Sequence, residues 1–417
     1  MTAALLDQFA PARHTPQRQF PVQDDSLQIG GVALSRLAER VGRTPFYAYE
    51  RSHIASRVAL LRSELPAGVH VHYALKANPM PAVAQLLATL VDGFDIASAG
   101  EMKTALDTGM APHCISFAGP GKRASELRSA VAAGVLIHLE SEEEMNRVLA
   151  AGDLLGITPR VAVRVNPDFE LRQAGMKMAG GARQFGVDAE KVPAMLRRMA
   201  RLGLDFYGFH LFCGAQNLSA AAICEAQHAC VVLGLELAEH APSPVRVLNI
   251  GGGFGVPYFP GERPLDLHAV AQGMHPLVEL LRSEWSDTRL VLELGRYLVA
   301  EAGVYVCRVI ERKLSHGQVF LVTDGGMHHH LAASGNFGQV LRKNYPVAIG
   351  NRMAGDARET VTVVGPLCTP LDLLADRMEL ARAEPGDLVV VFQSGAYGLT
   401  ASPTAFLGHP APLEVLV

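Results

Sequence analysis

From about residue 46 to residue 290 the chain alternates short, β-rich apolar runs with stretches whose apolar residues recur at helical spacing. The runs VHVHYAL (69–75), HCISFAG (113–119), VLIHLE (135–140), RVAVRVN (160–166), DFYGFHL (205–211) and VRVLNIGG (245–252) each read as a strand buried on both faces. Between them, AVAQLLATLVD (82–92), SEEEMNRVLAAGD (141–153) and VPAMLRRMARLG (192–203) read as amphipathic helices. Strand-then-helix alternation implies parallel strands, and the number of units favours an eight-fold (β/α) barrel of the α/β class. In such a barrel functional groups gather where strands end and loops begin.

After about residue 290 the texture changes. VYVCRVIERKL (304–314), QVFLVTDGG (318–326), ETVTVVGPLC (359–368) and DLVVVFQSGAY (387–397) are strand-like, with turn-rich joints and few helices between them. They predict a C-terminal, mostly antiparallel β domain. The expected division is therefore a barrel over 46–290 and a β domain built from 1–45 and 291–417, with LQIGGVAL (27–34) as one more strand of that domain. The first twenty residues predict a loose arm.

Length and composition narrow the function. At 417 residues two domains are expected, and 49% hydrophobic with 19% charged residues suits well-packed cores rather than long disorder. A net charge of −4 offers no basic surface for nucleic acid and no polybasic membrane patch. No uninterrupted apolar run is long enough to cross a bilayer, and the N-terminus reads as no secretory signal, so a cytoplasmic location is expected. The six cysteines (114, 213, 224, 230, 307 and 368) show no metal-type spacing, so disulfides and a metal site are not expected and most should be small buried hydrophobes.

Several positions carry chemistry. Lys76 finishes an apolar strand in YALKANP, where it reads either as a lysine emerging into solvent or as a Schiff-base lysine at the catalytic face. GGGFG (251–255) follows a strand and reads either as a tight turn or as a phosphate cradle. It is not the dinucleotide fingerprint. In LELGR (292–296), Glu293 and Arg296 read as a mutual ion pair, or as a ring-nitrogen partner and a carboxylate grip. Cys368 sits in a rigid turn, GPLCTPLD, and Tyr397 lies among small residues in SGAYG, where a core tyrosine is the plainer reading.

The order YALKANP, FDIASAGE, RQFG, HLFCGAQ, GGGFG, ELGR, GPLC, GAYG resembles the ornithine/diaminopimelate decarboxylase family over nearly the whole chain. The resemblance implies an alanine-racemase-like barrel plus a β domain, pyridoxal 5'-phosphate as cofactor, and a head-to-tail homodimer with shared active sites. It further implies that Lys76 carries the cofactor and that Gly253, its neighbours and the backbone of residues 293–296, Gly295 included, bind the phosphate. Glu293 would contact the pyridine nitrogen, Tyr397 would contact the cofactor, and Cys368 of the partner subunit would protonate the carbon that has lost carbon dioxide. Asp95 and Glu101 match acidic positions of the family's active-site region. Where the family shows HxHxGS, this chain has His210, Phe212 in the ring-stacking place and Ala215 in place of the serine. The family's amine-recognising acid is replaced by Thr369, and its distal-carboxylate arginine by Ala332, while Arg296 remains to hold substrate. Residues 175–188 and 327–346 bring the chain nearer to decarboxylases that accompany exosortase systems and to carrier-protein-linked glutamate decarboxylases.

These features favour a carboxy-lyase acting on an amino acid or aminoacyl derivative without a free distal amine, such as a carrier-bound glutamyl group. The alternatives are a diaminopimelate decarboxylase, an alanine-racemase-type isomerase, and a decarboxylase-like regulator without catalysis. A racemase needs proton donors on both substrate faces, whereas Cys368 fits one-sided reprotonation. Retention of Lys76, Glu293 and Cys368 together speaks against a regulator.

Overall fold

Eight short strands share one hydrogen-bonded ring: Val69–Ala74, Gly93–Ile96, Ile115–Phe117, Leu136–Leu139, Arg160–Asn166, Asp205–Leu211, Val247–Gly252 and Arg289–Leu294. Each runs parallel to its sequence neighbour, and the last returns to the first with Leu290 opposite Val69, so the sheet closes. Side chains on both faces of these strands are buried, which is why their sequences are nearly continuous apolar runs. The structure, a computed structural model, describes residues 17, 19–169, 175–337, 339, 341–355 and 357–417. The arm expected at the N-terminus lies mostly outside the described residues.

Helices follow the strands where the sequence supplies a cap. Ser98 accepts the Glu101 amide at the head of Ala99–Asp107, Ser141 the Glu144 amide at the head of Glu142–Leu155, and Ser219 the Ala222 amide at the head of Ala220–Ala238. The last of these is long and apolar enough, by length and composition, to cross a membrane. It follows the sixth barrel strand and buries one stripe, including Ile223, Cys230, Val231 and Leu237, as a core helix does.

A second unit combines the stretch ending at Ile54 with Pro257–Arg263 and Val299–Val417, while Ala55–Val256 and Pro264–Leu298 form the barrel unit. Its spine is the long strand Gly303–Ser315, which pairs antiparallel with Gln318–Thr323, Leu388–Val391 and Phe46–Tyr49. Two parallel pairings interrupt the antiparallel pattern: Gln318–Thr323 with Arg358–Val364, and Leu413–Leu416 with Phe46–Tyr49. Its core joins Phe20, Leu27, Ile29, Leu34 and Phe46 to Val304, Val306, Val390 and Phe392.

Three details differ from the expected division. Phe46–Tyr49, expected to open the barrel, lies between two strands of the β unit and is buried at every position, so its FYAY pattern mimics a barrel strand. Arg289–Leu294, split by the expected boundary, closes the barrel. Residues 27–34 are not one strand but a hairpin with its turn at Gly30 and Gly31, both at positive φ (58° and 72°), and it belongs to a separate three-stranded meander.

Candidate active site

At the C-terminal mouth of the barrel the first strand gives way to a tight turn, Leu75–Ala77, which lifts Lys76 out of the wall. Its amine lies 3.2 Å from Glu293 Oε1, and the exposures differ sharply, 42% for the lysine side chain against 4% for the glutamate. The other carboxylate oxygen, Oε2, lies 3.2 Å from His210 Nε2, although off the line of an ideal hydrogen bond. Burial alone would raise the Glu293 pKa, but Lys76, His210 and Arg164 together hold it well below the usual carboxylate range. An acid held ionised by its cationic neighbours thus sits beside an accessible amine. Lys76 also lies 5.3 Å from the centre of the Phe212 ring. Glu101 accepts the Ala97 amide at 2.6 Å, and burial raises its pKa.

The glycine-rich loop closes on the same group. Gly251 and Gly253 adopt positive φ (67° and 74°), and Asn249 Oδ1 accepts the Gly251 amide at 2.8 Å. A Cβ on Gly251 would stand 2.8 Å from the Phe212 ring, and one on Gly252 would stand 2.5 Å from the Glu293 carbonyl oxygen. One on Gly295 would stand 2.9 Å from Ala77. Glycine therefore lets the loops after the sixth, seventh and eighth strands meet the Lys76 turn. Arg296 follows, half-buried, at the start of the short helix Arg296–Val299.

The structure brings together Lys76, Phe212, His210, Gly251, Glu293 and Gly295. Asp95 is placed differently. It is buried in the second strand, where Ser116 Oγ donates to Oδ1 and His72 Nδ1 lies 3.4 Å from Oδ2. Segment 175–188, singled out in the sequence, pairs through Met176–Lys177 with Gly214–Ala215, the strand containing the serine-to-alanine departure.

Sequence reasoning missed a second charged layer. Arg164 donates to Glu140 Oε1 at 2.6 Å, and Glu140 also accepts the amides of Gly119 at 2.7 Å and Gly186 at 2.8 Å. Burial pushes the Glu140 pKa up, but Arg164 and the Gly186 amide outweigh it and leave the pKa lowered. Lys122, equally buried, pairs with Glu144 at 3.0 Å and donates to the carbonyls of Gly119 and His138. The available signal was charge inside runs expected to be buried on both faces: Arg164 in RVAVRVN and His138 in VLIHLE.

In the β unit, Cys368 is the exposed one of the six cysteines. Its turn is held by Asp372, which accepts the amides of Met327 at 2.6 Å and Leu367 at 2.8 Å, while the Thr369 amide donates to the Leu367 carbonyl. Tyr397, at φ 53°, is half-buried with its ring centre 6.4 Å from that of Phe337. The consecutive His328, His329 and His330 are buried. His330 bonds Ser394 Oγ at 2.9 Å, and His329 bonds the Pro410 carbonyl at 3.1 Å.

An ionised buried carboxylate, an adjacent amine and a glycine cradle are the donor set that pyridoxal phosphate needs for its ring nitrogen, aldehyde and phosphate, so the residues present fit that group. Comparison with known proteins agrees. The pyridoxal binding domain of the pyridoxal-dependent decarboxylases matches residues 51–300. The chain is 40% identical to the L-glutamyl-[BtrI acyl-carrier protein] decarboxylase of Niallia circulans, over 94% of this chain and 92% of that one. It is 30% identical to the 2-[(L-alanin-3-ylcarbamoyl)methyl]-2-hydroxybutanedioate decarboxylase of Staphylococcus aureus, over 88% and 92%. Among solved structures, diaminopimelate decarboxylase from Helicobacter pylori complexed with L-lysine superposes with a TM-score of 0.82 at 26% identity, covering 92% of this chain and 94% of that one.

Proposed function

The chain belongs to the pyridoxal-dependent decarboxylases, and on that footing we propose that it removes the α-carboxyl group of an amino-acid unit whose distal end bears no free ammonium. A glutamyl group held as a thioester on a carrier protein is the substrate that fits best. The observation that carries this reading is the turn at residues 365–372. Thr369, next to Cys368, is uncharged, and the acid in that turn, Asp372, spends both oxygens on the amides of Met327 and Leu367. Ala332, at the place of the distal-carboxylate arginine, is a buried methyl group. An unpaired ammonium buried there would cost several kcal/mol, enough to suppress turnover of a diamino acid by orders of magnitude. The 40% identity to a glutamyl carrier-protein decarboxylase supports the same class.

Pyridoxal phosphate supplies an electron-accepting ring for the pair of electrons left when carbon dioxide departs. Lys76 holds the cofactor through its amine. Glu293, kept ionised by Lys76, His210 and Arg164, holds the proton on the ring nitrogen. Phe212 packs against the ring, and the backbone at Gly253, Gly295 and Arg296 binds the phosphate. Asp95, engaged by Ser116 and His72, would act on the cofactor only through those neighbours. Arg296 and Tyr397 contact substrate, as does Thr369 of the partner subunit, the neighbour of the partner's Cys368. Cys368 of the partner subunit delivers a proton to the carbon that has lost its carboxylate, in a head-to-tail homodimer, and the reducing cytoplasm keeps that exposed thiol free.

The test is release of carbon dioxide from four substrates by the holoenzyme: carrier-bound L-glutamyl thioester, free L-glutamate, L-ornithine and meso-diaminopimelate. Turnover of the thioester at least a hundredfold above the diamino acids is expected. Efficient decarboxylation of meso-diaminopimelate or ornithine would overturn the substrate reading and favour the diaminopimelate alternative.

A further inference from the structure

Two buried histidines, His138 and His210, meet inside the barrel. His210, in the sixth strand, faces Glu293 with Nε2 at 3.2 Å. Its other nitrogen, Nδ1, meets Nδ1 of His138, in the fourth strand, at 2.8 Å, and the two ring centres are 4.5 Å apart at 49°. Each residue is 1% exposed. Two ring nitrogens at that distance need one proton between them, because two lone pairs or two N–H groups would repel.

The surroundings decide which ring supplies it. Burial, reinforced by His210, holds His138 well below the usual imidazole range, so His138 is neutral and carries a single proton. Its Nε2 has no hydrogen-bond partner and adjoins a small cavity lined also by His72, Ser116, Asn249 and Arg289. The carboxylate, 3.2 Å from His210 Nε2, decides which ring donates. His210 must then accept at Nδ1 and keep its own proton on Nε2, the nitrogen facing Glu293. The opposite tautomer would set a lone pair against a carboxylate oxygen at 3.2 Å.

We propose that His138 and His210 are a positioning pair for Glu293: His138 donates from Nδ1 to His210, and His210 donates from Nε2 to Glu293 Oε2. The pair leaves Oε1, the oxygen beside Lys76, as the one that faces the cofactor. It also lowers the proton affinity of the carboxylate, so that the shared proton stays on the ring nitrogen. Lys76, Arg164 and Glu101 act on Glu293 by charge, and Lys122 and Arg164 act on His138, while the His210 ring lies 3.2 Å from Oε2. The inference rests on the reading that Glu293 serves the cofactor.

The test has two arms. Long-range 1H–15N spectra of histidine-labelled protein, cofactor-free and loaded, should show His138 protonated at Nδ1 only and His210 at Nε2 only, the signals assigned by their loss in His138→Asn and His210→Gln. His138 protonated at Nε2, or His210 doubly protonated, would overturn the proposal without any variant having to be active. In the second arm, His138→Leu should lower kcat about tenfold with KM within about twofold, and His138→Asn, which retains a donor near the Nδ1 position, should restore most of it. Equal loss in both variants would also overturn it. If Glu293→Gln turns over at the wild-type rate while the tautomers are as assigned, the cofactor role of Glu293 fails and the positioning pair stands.

Discussion

The barrel mouth and the β unit both bury titratable side chains, but they do so in opposite states. At the mouth, charge is held in pairs. Lys76 faces Glu293, Arg164 faces Glu140 and Lys122 faces Glu144, and the Glu293 and Glu140 carboxyls are held below their ordinary range by their cationic partners. In the β unit, burial pushes the imidazoles of His328, His329 and His330 down to about 3, 4 and 3, so the rings are kept neutral. Paired charges keep an electrostatic field ready for an incoming ring and phosphate. Neutral rings fill space and make ordinary hydrogen bonds, as His330 does to Ser394 and His329 to Pro410. Burial of ionisable residues therefore does not by itself mark a reactive site. What distinguishes the mouth is that opposite charges are buried beside glycine-lined loops.

The strongest way to break this contrast is to remove the amine at the mouth. Lys76→Ala should lose covalent cofactor retention and reduce carbon dioxide release by roughly a thousandfold or more, because among the described residues no second lysine is paired with Glu293. Unchanged absorbance of the bound cofactor would move the site elsewhere. Next in size is Arg164→Ala, which strands Glu140 as an unpaired buried charge and should cost about 3–5 kcal/mol of stability in denaturant titration. A cost under about 1 kcal/mol would mean that the Gly119 and Gly186 amides suffice to hold the carboxylate. Glu293→Gln keeps the shape but not the charge, so cofactor should still bind while kcat falls about a hundredfold. A normal kcat would show that the ring nitrogen needs no ionised partner.

The smallest effect is a difference in acid sensitivity. Unfolding returns the three β-unit histidines to a value near 6.5, so the unfolded chain binds protons that the folded chain refuses. Their contribution is fully present above about pH 6.5 and is lost as the pH falls towards about 4 and then 3. The depressed Glu293 and Glu140 keep their full contribution above about 4.5, the ordinary carboxylate value, and lose it progressively only below that, so the barrel's charged pairs are intact at pH 5. Hydrogen-exchange protection factors, which correct for the slower intrinsic exchange at acid pH, should therefore fall between pH 7.5 and pH 5 in Leu388–Val391, and less so in Arg160–Asn166, beside one histidine of lowered pKa, His138. An equal fall in both strands would remove the distinction.

Much of the fold on either side of this contrast is legible in the sequence. The barrel strands stand out because both faces are buried and polar alternation disappears, and the capping serines mark where helices begin. The same signal misled at Phe46–Tyr49, where burial between two β-unit strands also removes alternation. Lys76, Gly253 and Glu293 were legible as strand-end chemistry, and the resemblance to a decarboxylase family added Phe212 and implied one shared site. Arg164 and His138 were not. Their partners lie on other strands, His138 in the fourth meeting His210 in the sixth, and only closure of the barrel makes those side chains neighbours. The hairpin at residues 27–34 was written in Gly30-Gly31, whose positive φ values mark the turn.

The account turns on one amine. Reducing the cofactor-loaded enzyme with borohydride fixes the cofactor covalently to the lysine that holds it, and peptide mass mapping then identifies that lysine. The expected result is a pyridoxyl label on the peptide containing Lys76 and on no other. A label on Lys122 or any other lysine, or a loaded enzyme that releases carbon dioxide yet yields no labelled Lys76, would contradict the assignment of the barrel mouth as the active site.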